Sequence, residues 1–142
     1  MKATCTVEKI KHAVSLAERM TGKNLTSPSL HGLLIIASGS SLKIRATNLN
    51  VGIEIEVPAV VSGEGVVLVK GDLLSSVCGN LKDSLELSLS LEGDNLTIQT
   101  SQSKTVLKCL NHDDFPTLPV VEGETFEIKS TLFQEGIRSV YF

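Results

Sequence analysis

The chain has 142 residues and a formal net charge of −3, and 42% of its residues are hydrophobic while 4% are aromatic. This length suits one globular domain with a real core, and the composition excludes an intrinsically disordered chain. No apolar run approaches the roughly 20 residues that span a bilayer. The acidic balance and the few aromatic rings also exclude a simple basic coat for nucleic acid. Any contact with nucleic acid must therefore come from a local patch.

The number and spacing of the cysteines indicate the cellular compartment of the protein. Cys5, Cys78 and Cys109 are an odd number and lie far apart. The N-terminus also lacks the apolar stretch of a secretory signal. These features indicate reduced thiols in a cytosolic protein.

Three segments share a pattern in which a short β-branched strand runs directly into an amphipathic helix. They are residues 3–20, 65–82 and 125–142. The last apolar residues of the three strands are Val7, Val69 and Ile128, separated by 62 and 59 positions. Nearly equal spacing of this kind predicts an internal structural repeat.

Each segment predicts a helix with one buried face, because its apolar residues recur at three- and four-residue spacing. The predicted faces are Ile10, Ala13, Val14 and Ala17; then Leu73, Leu74, Val77 and Leu81; and then Leu132, Phe133, Ile137 and Val140.

Strand patterns follow the first two helices. The predicted strands are residues 30–37, 42–47 and 51–57 in the first half and 84–91, 95–100 and 104–110 in the second. The clearest alternation is that of Leu85, Leu87, Leu89 and Leu91, which is typical of a strand with one dry face. Two copies of strand, helix and three strands predict an α+β domain at residues 1–110, with two helices packed on antiparallel sheet.

The third repeat is incomplete. Residues 111–123 hold two of the four prolines and no apolar period, which predicts an inter-domain linker. The strand and helix predicted within residues 124–142 have no strands after them. We therefore expect this chain to be part of a longer multi-domain protein.

Three short segments carry a family resemblance. Residues 42–50 read LKIRATNLN, residues 114–119 read DFPTLP, and residues 135–140 read EGIRSV. In this order and spacing the sequence resembles the bacterial sliding clamp, the β subunit of DNA polymerase III, whose versions read close to L-x-I-x-A-T-D-L-E and D-F-P-x-L-P. Asn48 and Asn50 stand where acids are usual in the family, and Asp72 stands at a usually basic position.

The resemblance implies a DNA-clamp fold built from a duplicated β-α-β-β-β unit, with no catalytic activity and no cofactor or metal. It also implies a homodimeric ring of six similar domains whose helices line the hole, so that duplex DNA is held by encirclement. The implied partners are double-stranded DNA, a second clamp subunit, the catalytic subunit of polymerase III and the clamp loader. The last two would bind through domains that this chain lacks. The implied compartment is the bacterial cytoplasm, with no membrane partner.

The resemblance also implies DNA-contacting residues. Lys23 and Asn24 match a DNA-contacting loop of the family, and Lys70 and Lys11 are expected to act at longer range. Charge agrees with this expectation, since residues 1–23 carry +3 and residues 83–123 carry −5. We therefore expect the helices to attract DNA and the later strands to repel it.

The last predicted strand resembles the edge strand at the family's dimer interface. The expected contacts are Lys104, Thr105 and Leu107. Because the partnering third domain is missing, this chain alone is not expected to close the family's ring.

Two other readings stay open from the residues alone. Cys109, His112, Asp113 and Asp114 could suggest a metal or nuclease site, but they lack a second ligand pair. No glycine-rich phosphate loop, nucleophile elbow or H-E-x-x-H motif is present, so we expect no enzyme.

The main alternative is a non-enzymatic module that pairs through its edge strand without touching DNA. A clamp is favoured over this alternative if Lys9, Lys11, Lys23 and Lys70 lie on one common surface.

Overall fold

A computed structural model describes residues 1–22, 27–83 and 85–141. The described residues form nine strands: β1 Lys2–Thr6, β2 Gly32–Ser38, β3 Ser41–Thr47, β4 Gly52–Pro58, β5 Val60–Gly63, β6 Gly65–Lys70, β7 Glu86–Glu92, β8 Asn95–Gln99 and β9 Lys104–Leu110. The helices are α1 Val7–Glu18, α2 Gly71–Gly79 and α3 Ser130–Val140, and a short 3₁₀ helix, Pro28–His31, precedes β2.

The strands form one antiparallel sheet in the order β4-β3-β2-β6-β9-β8-β7-β1-β5. The predicted repeat is confirmed, because β1-α1-β2-β3-β4 and β6-α2-β7-β8-β9 have the same element order. The two halves exchange their leading strands. β1 pairs with β7 of the second half, with Cys5 opposite Leu87, and β6 pairs with β2 of the first half, with Val69 opposite Leu33. Each half therefore completes the sheet of the other.

The core lies between the sheet and the two helices. The predicted face of α1 is confirmed, since Ile10, Ala13, Val14 and Ala17 are all buried. The alternation in β7 also holds at its centre, where Leu87 and Leu89 are fully buried. Leu85 and Leu91, at the two ends of that pattern, are only partly buried.

The predicted face of α2 is partly wrong. Leu74 is fully buried as expected, but Leu73 is 49% exposed, and Val77 and Leu81 are only partly buried. Because the helix begins at Gly71, positions three and seven residues later share its inner face, which brings Cys78 into the core instead of Leu73. Val7, which was predicted to be the last apolar residue of the first strand, is instead the first residue of α1. Val69 lies inside its predicted strand, β6.

Three other expectations about local structure are wrong. The predicted apolar face of α3 is not buried, because Leu132, Phe133, Ile137 and Val140 are all exposed. Residues 60–63 form β5, an extra strand that pairs with β1 and was not predicted. Residues 124–129 lie in the described part of the chain but form no strand, and α3 begins directly at Ser130. An isolated strand needs a partner for its backbone groups, and an apolar pattern alone does not provide one.

The departures from the family pattern at residues 48 and 50 fall in the turn between β3 and β4. The Asn48 side-chain oxygen accepts hydrogen bonds from the backbone N–H groups of Asn50 and Val51, at 3.0 and 2.9 Å. Leu49 adopts a positive φ of 73° at the tip of the turn. An aspartate could accept the same bonds, so Asn48 keeps the turn and removes a charge.

The segment after β9 packs back onto this turn. A Cβ built on Gly52 would lie 2.6 Å from a Leu118 methyl carbon, so a side chain at this position would require the end of the Leu118 side chain to shift. Leu118 and its neighbours Pro116 and Pro119 line a shallow groove with Thr47 and Leu49. The domain and linker boundaries predicted from the sequence stay predictions.

Leu73 and Leu74 allow a matched test of the α2 face. We expect Leu74→Ala to lower the free energy of unfolding by about 2–5 kcal/mol, because it removes a fully buried side chain. The same truncation at the half-exposed Leu73 should cost less than about 1 kcal/mol. Urea denaturation of both variants measures the difference. Equal losses would contradict the orientation of α2.

Thiol labelling tests the packing around the cysteines. Burial raises the pKa of Cys5 to about 11 and that of Cys78 to about 12, so both thiols stay protonated and unreactive near neutral pH. Cys109 is only half-buried. We expect an aromatic disulfide reagent at pH 8 to label Cys109 in the folded protein and the other two only after unfolding. Fast labelling of all three would contradict the described core.

Candidate nucleic-acid interface

The helices α1 and α2 lie side by side and run in opposite directions. The end of α1 meets the start of α2 in an open groove lined by Glu18, Thr21, Lys70 and Asp72, together with His31. The start of α1 meets the end of α2 in a second groove, lined by Glu8, Lys11, His12, Ser15, Ser75, Gly79 and Asp83. We call the surface formed by these two helices and their flanking residues, 7–22 and 70–83, the helix layer.

Lys11 is held in the second groove. Its ammonium group lies 2.9 Å from a carboxylate oxygen of Asp83 and 3.3 Å from the carbonyl oxygen of Leu81. The lysine therefore ties α1 to the segment that follows α2. Its charge is largely neutralised locally, which reduces what it can offer to a distant phosphate.

Lys70 lies at the other end of the helix layer. It occupies the position just before α2, and its ammonium group is 3.3 Å from a carboxylate oxygen of Asp72. Asp72 in turn accepts a hydrogen bond from the backbone N–H of Leu73, and a carboxylate in the first turn of a helix is electrostatically favourable. The unusual acid at position 72 thus stabilises the helix start while it weakens the field of Lys70.

Lys23 and Asn24, the residues expected to contact DNA most directly, lie outside the described residues. Their assignment stays a prediction. Thr21 and Gly22, which immediately precede them, are buried, and the Gly22 N–H donates to the carbonyl oxygen of Leu30. This bond fixes the point at which the chain leaves the helix layer.

The cations that the fold leaves most accessible were not among the residues expected to contact DNA. Lys9, Arg19 and Lys82 are exposed and form no ion pair within residues 1–22, 27–83 and 85–141. Exposure could have been read from the helical period, because Arg19 lies opposite the apolar face of α1. Lys82 follows the end of α2 and carries no periodic signal.

The charges of the helix layer do not form one cluster. Lys9 and Lys11 are two residues apart on α1, so they lie on opposite flanks of the helix. The layer holds the cations Lys9, Lys11, Arg19, Lys70 and Lys82 against the anions Glu8, Glu18, Asp72 and Asp83. Its net charge of +1 is therefore smaller than the +3 of residues 1–23 suggested, since Lys2 belongs to the sheet and Lys23 is not described.

The expectation that β9 is an edge strand is wrong as stated. β9 lies inside the strand order, between β6 and β8. However, β6 pairs only with Cys109 and Leu110, because it ends at Lys70 where α2 begins. β8 covers Lys104–Lys108 on the other side. Within the described residues, the β6 side of those five residues has no strand partner.

Two hydrogen bonds define which residues of β9 face this open side. The N–H of Thr100 donates to Ser103, and the N–H of Cys109 donates to Asp94, both across the hairpin. Since bonds alternate along an antiparallel ladder, Thr105 and Leu107 turn their backbone groups toward β8. Lys104, Val106 and Lys108 turn theirs to the open side.

The side chains of β9 fall into the same two groups, one facing the core and one facing solvent. Leu107 packs against the core and Thr105 is half-buried, whereas Lys104 is exposed. The exposed apolar residue is Val106, at 53%, which the sequence analysis did not select. The predicted interface residues Lys104, Thr105 and Leu107 thus lie on one strand but on two faces of it. Their role in subunit contact stays a prediction.

The residues considered for metal binding are spread out. His112 and Asp113 approach one another at 3.6 Å and are both solvent-accessible. Among the described residues, no group of three or more His, Cys, Asp or Glu side chains is placed to hold a metal ion. In the same part of the chain, no helix is long and apolar enough to cross a membrane.

Two helices packed side by side on a sheet made of two interlocked halves agree with the DNA-clamp fold that the resemblance implies. Residues 1–119 match the family model described as the N-terminal domain of the DNA polymerase III beta subunit. The chain belongs to this family. This match agrees with the expectation of a polymerase subunit without catalytic activity.

Individual relatives agree. The chain is 30% identical to the beta sliding clamp of Synechocystis, in an alignment covering 100% of this chain and 39% of the relative. The crystal structure of the Caulobacter crescentus sliding clamp is 29% identical with a TM-score of 0.79, covering 84% of this chain and 33% of that one. The Pseudomonas aeruginosa beta subunit has a TM-score of 0.89 at 22% identity, covering 97% and 38% of the two chains, and shows the shared fold. The chain thus spans between one third and two fifths of the length of these relatives.

A double-mutant cycle tests the tie made by Lys11. We expect Lys11→Met and Asp83→Asn to show a coupling energy of about 0.2–1 kcal/mol in the free energy of unfolding, because the pair is partly exposed. Raising the salt concentration should shrink this coupling. Strictly additive losses at low salt would contradict the ion pair.

Proposed function

We propose that this protein is part of a DNA sliding clamp, a processivity factor that encircles duplex DNA and tethers the replicative polymerase. The observation that supports this most is the helix layer, which presents exposed cations on a clamp fold shared with the family. In the proposed ring, α1 and α2 face the duplex and the sheet faces outward.

A weak positive field suits this role. Strong phosphate contacts would hold a ring at one place, because each neutralised phosphate contributes to affinity through release of a counterion. Here the lysines at both grooves are partly neutralised by Asp83 and Asp72, at 2.9 and 3.3 Å. The remaining exposed cations attract the DNA backbone without reading its sequence. The protein then stays on DNA because the ring encircles the duplex, and not because it binds the phosphates tightly.

The proposed partners follow from this role. A second clamp subunit would add a strand to the open side of β9, where Lys104, Thr105 and Leu107 are the proposed contacts. The catalytic subunit of polymerase III and the clamp loader would bind elsewhere in the complete clamp. We place the protein in the bacterial cytoplasm, where replication occurs.

Charge reversal tests the DNA-facing surface. Residues 1–119 are joined to the rest of the Synechocystis clamp chain, and duplex affinity is measured over a salt series. We expect Lys23→Glu with Lys70→Glu to weaken binding at low salt and to reduce the salt slope by about one to two. The matched control is Lys2→Glu with Lys43→Glu, on the sheet, and it should leave the slope unchanged.

Asp83 supplies an opposite test in the same joined protein. Asp83→Asn removes the carboxylate 2.9 Å from Lys11 and frees a cation in the helix layer. We expect duplex affinity at low salt to rise by about two- to fivefold, since one additional phosphate contact becomes available. An unchanged affinity in this variant, together with an unchanged salt slope in the Lys23 and Lys70 variant, would contradict DNA contact by the helix layer.

A further inference from the structure

Two of the three histidines in the chain line the two grooves of the helix layer. His31 lies in the groove where the end of α1 meets the start of α2, and His12 lies in the groove at the opposite end of the helix pair. The third, His112, follows β9 and lies outside the helix layer. The surface proposed to face DNA therefore holds two side chains of the type whose charge changes near neutral pH.

His12 is exposed on α1, and the groove beside it is open on the side of α2. α2 contributes the small residues Ser75 and Gly79 to this groove. Among the described residues, a Cβ built on Gly79 would meet open space. The His12 ring is therefore accessible to an anion that approaches the helix pair from solvent.

The described charges around His12 cancel one another. On its own helix they are Glu8, one turn before it, and the neighbouring Lys9 and Lys11, and the segment after α2 adds Asp83. The opposite face of α1, which packs on the sheet, is apolar. Two cations and two anions sum to zero, so a proton on His12 gives this groove a net positive charge.

His31 ends the short 3₁₀ helix and lies against the start of α2. Its carbonyl oxygen would be 3.3 Å from a Cβ built on Gly71. The charged groups that line the groove with it are Glu18 from α1, and Lys70 and Asp72 from the start of α2. One cation and two anions sum to −1, so a proton on His31 cancels the charge that would repel a phosphate.

The helix layer is sensitive to these two protons because its own field is weak. Its net charge is +1 with neutral histidines, and protonation of His12 and His31 raises the sum over the layer and His31 to +3. Carboxylates, lysines and arginines ordinarily keep their charge between pH 6 and 8. Burial raises the pKa of the Cys78 thiol to about 12, so this group of the layer stays neutral.

We propose that His12 and His31 are phosphate contacts of the helix layer, and that their protonation strengthens its binding to duplex DNA as the pH falls through neutrality. A protonated imidazole has two N–H groups to donate, and phosphate oxygens accept such bonds strongly. A phosphate beside the ring in turn favours the protonated form, so duplex binding takes up protons. The proposal rests on the proposed function, because it requires the helix layer to face the duplex.

This arrangement grades the contact between the clamp and its DNA. Neutral histidines leave the weak field that permits sliding, whereas each protonated histidine adds a phosphate contact and releases a counterion. The helix layer then binds the duplex more tightly with no change of fold.

The test measures binding of the complete 142-residue chain to a short end-labelled duplex by fluorescence anisotropy, in salt series at pH 6 and at pH 8. We expect the affinity at low salt to be about three- to tenfold higher at pH 6, because positive charge is added to the helix layer. The salt slope should also be steeper at pH 6 by about one to two, since each protonated histidine contributes roughly one phosphate contact.

Three variants assign the effect to residues. His12→Gln with His31→Gln should show the same affinity and salt slope at both pH values, because glutamine is polar but takes up no proton. His12→Gln alone, at an exposed position, should remove about half of the pH effect. His112→Gln is the matched control, since it removes the histidine outside the helix layer, and it should keep the full effect. Circular dichroism at both pH values confirms that each variant is folded.

Two results would overturn this proposal alone. One is duplex binding whose affinity and salt slope do not change between pH 6 and pH 8. The other is a pH effect that persists in the folded double variant. Both results leave contact between the helix layer and DNA in place, whereas no duplex binding at either pH at low salt would overturn that contact together with the proposal.

Discussion

The exchange of leading strands between the two halves is the constraint on which the rest of the structure depends. β1 completes the sheet of the second half and β6 that of the first, so neither half can bury its core alone. Each leading strand runs directly into its helix, at Val7 and at Gly71. The exchange therefore also sets α1 and α2 side by side on one sheet. A pair of neighbouring antiparallel helices is the geometry that the proposed DNA-facing surface needs.

The same exchange determines the open strand sides. Because β6 leaves the sheet at Lys70 to start α2, it covers only the last two residues of β9. Among the described residues, five residues of β9 then have no strand partner on one side, and β4 and β5 form the two ends of the strand order. The helix layer and the strand sides are thus two consequences of one topology. One is suited to a charged polymer and the other to a further strand.

Much of the fold could be predicted from the sequence, because periodicity records which side of a local element is buried. The buried face of α1 and the dry centre of β7, at Leu87 and Leu89, are of this kind. The strand exchange could not be predicted, since pairing between Cys5 and Leu87 joins residues that no local pattern relates. Leu73 was misassigned because it is adjacent to Leu74, and neighbouring residues of a helix point about 100° apart, so both cannot lie at the centre of one buried face.

The candidate site was less predictable than the fold. Net charge over a segment counts Lys2 with the helices, whereas the fold places it in the sheet. The approach of Asp83 to Lys11 is a tertiary contact between distant residues and has no sequence signal. The resemblance to the clamp family identified the strand of the proposed subunit contact, but only the register shows which of its residues face outward.

Topological retention on DNA tests the central claim most directly. The protein formed from residues 1–119 and the rest of the Synechocystis clamp chain would be loaded onto a nicked circular duplex and separated from free protein by gel filtration, before and after a single cut. Encirclement predicts that the protein stays with the circle and leaves once the DNA is linear, as the intact Synechocystis clamp should do in parallel. A folded chimera that is lost from the circle, or that stays equally on circular and linear DNA, would contradict the account.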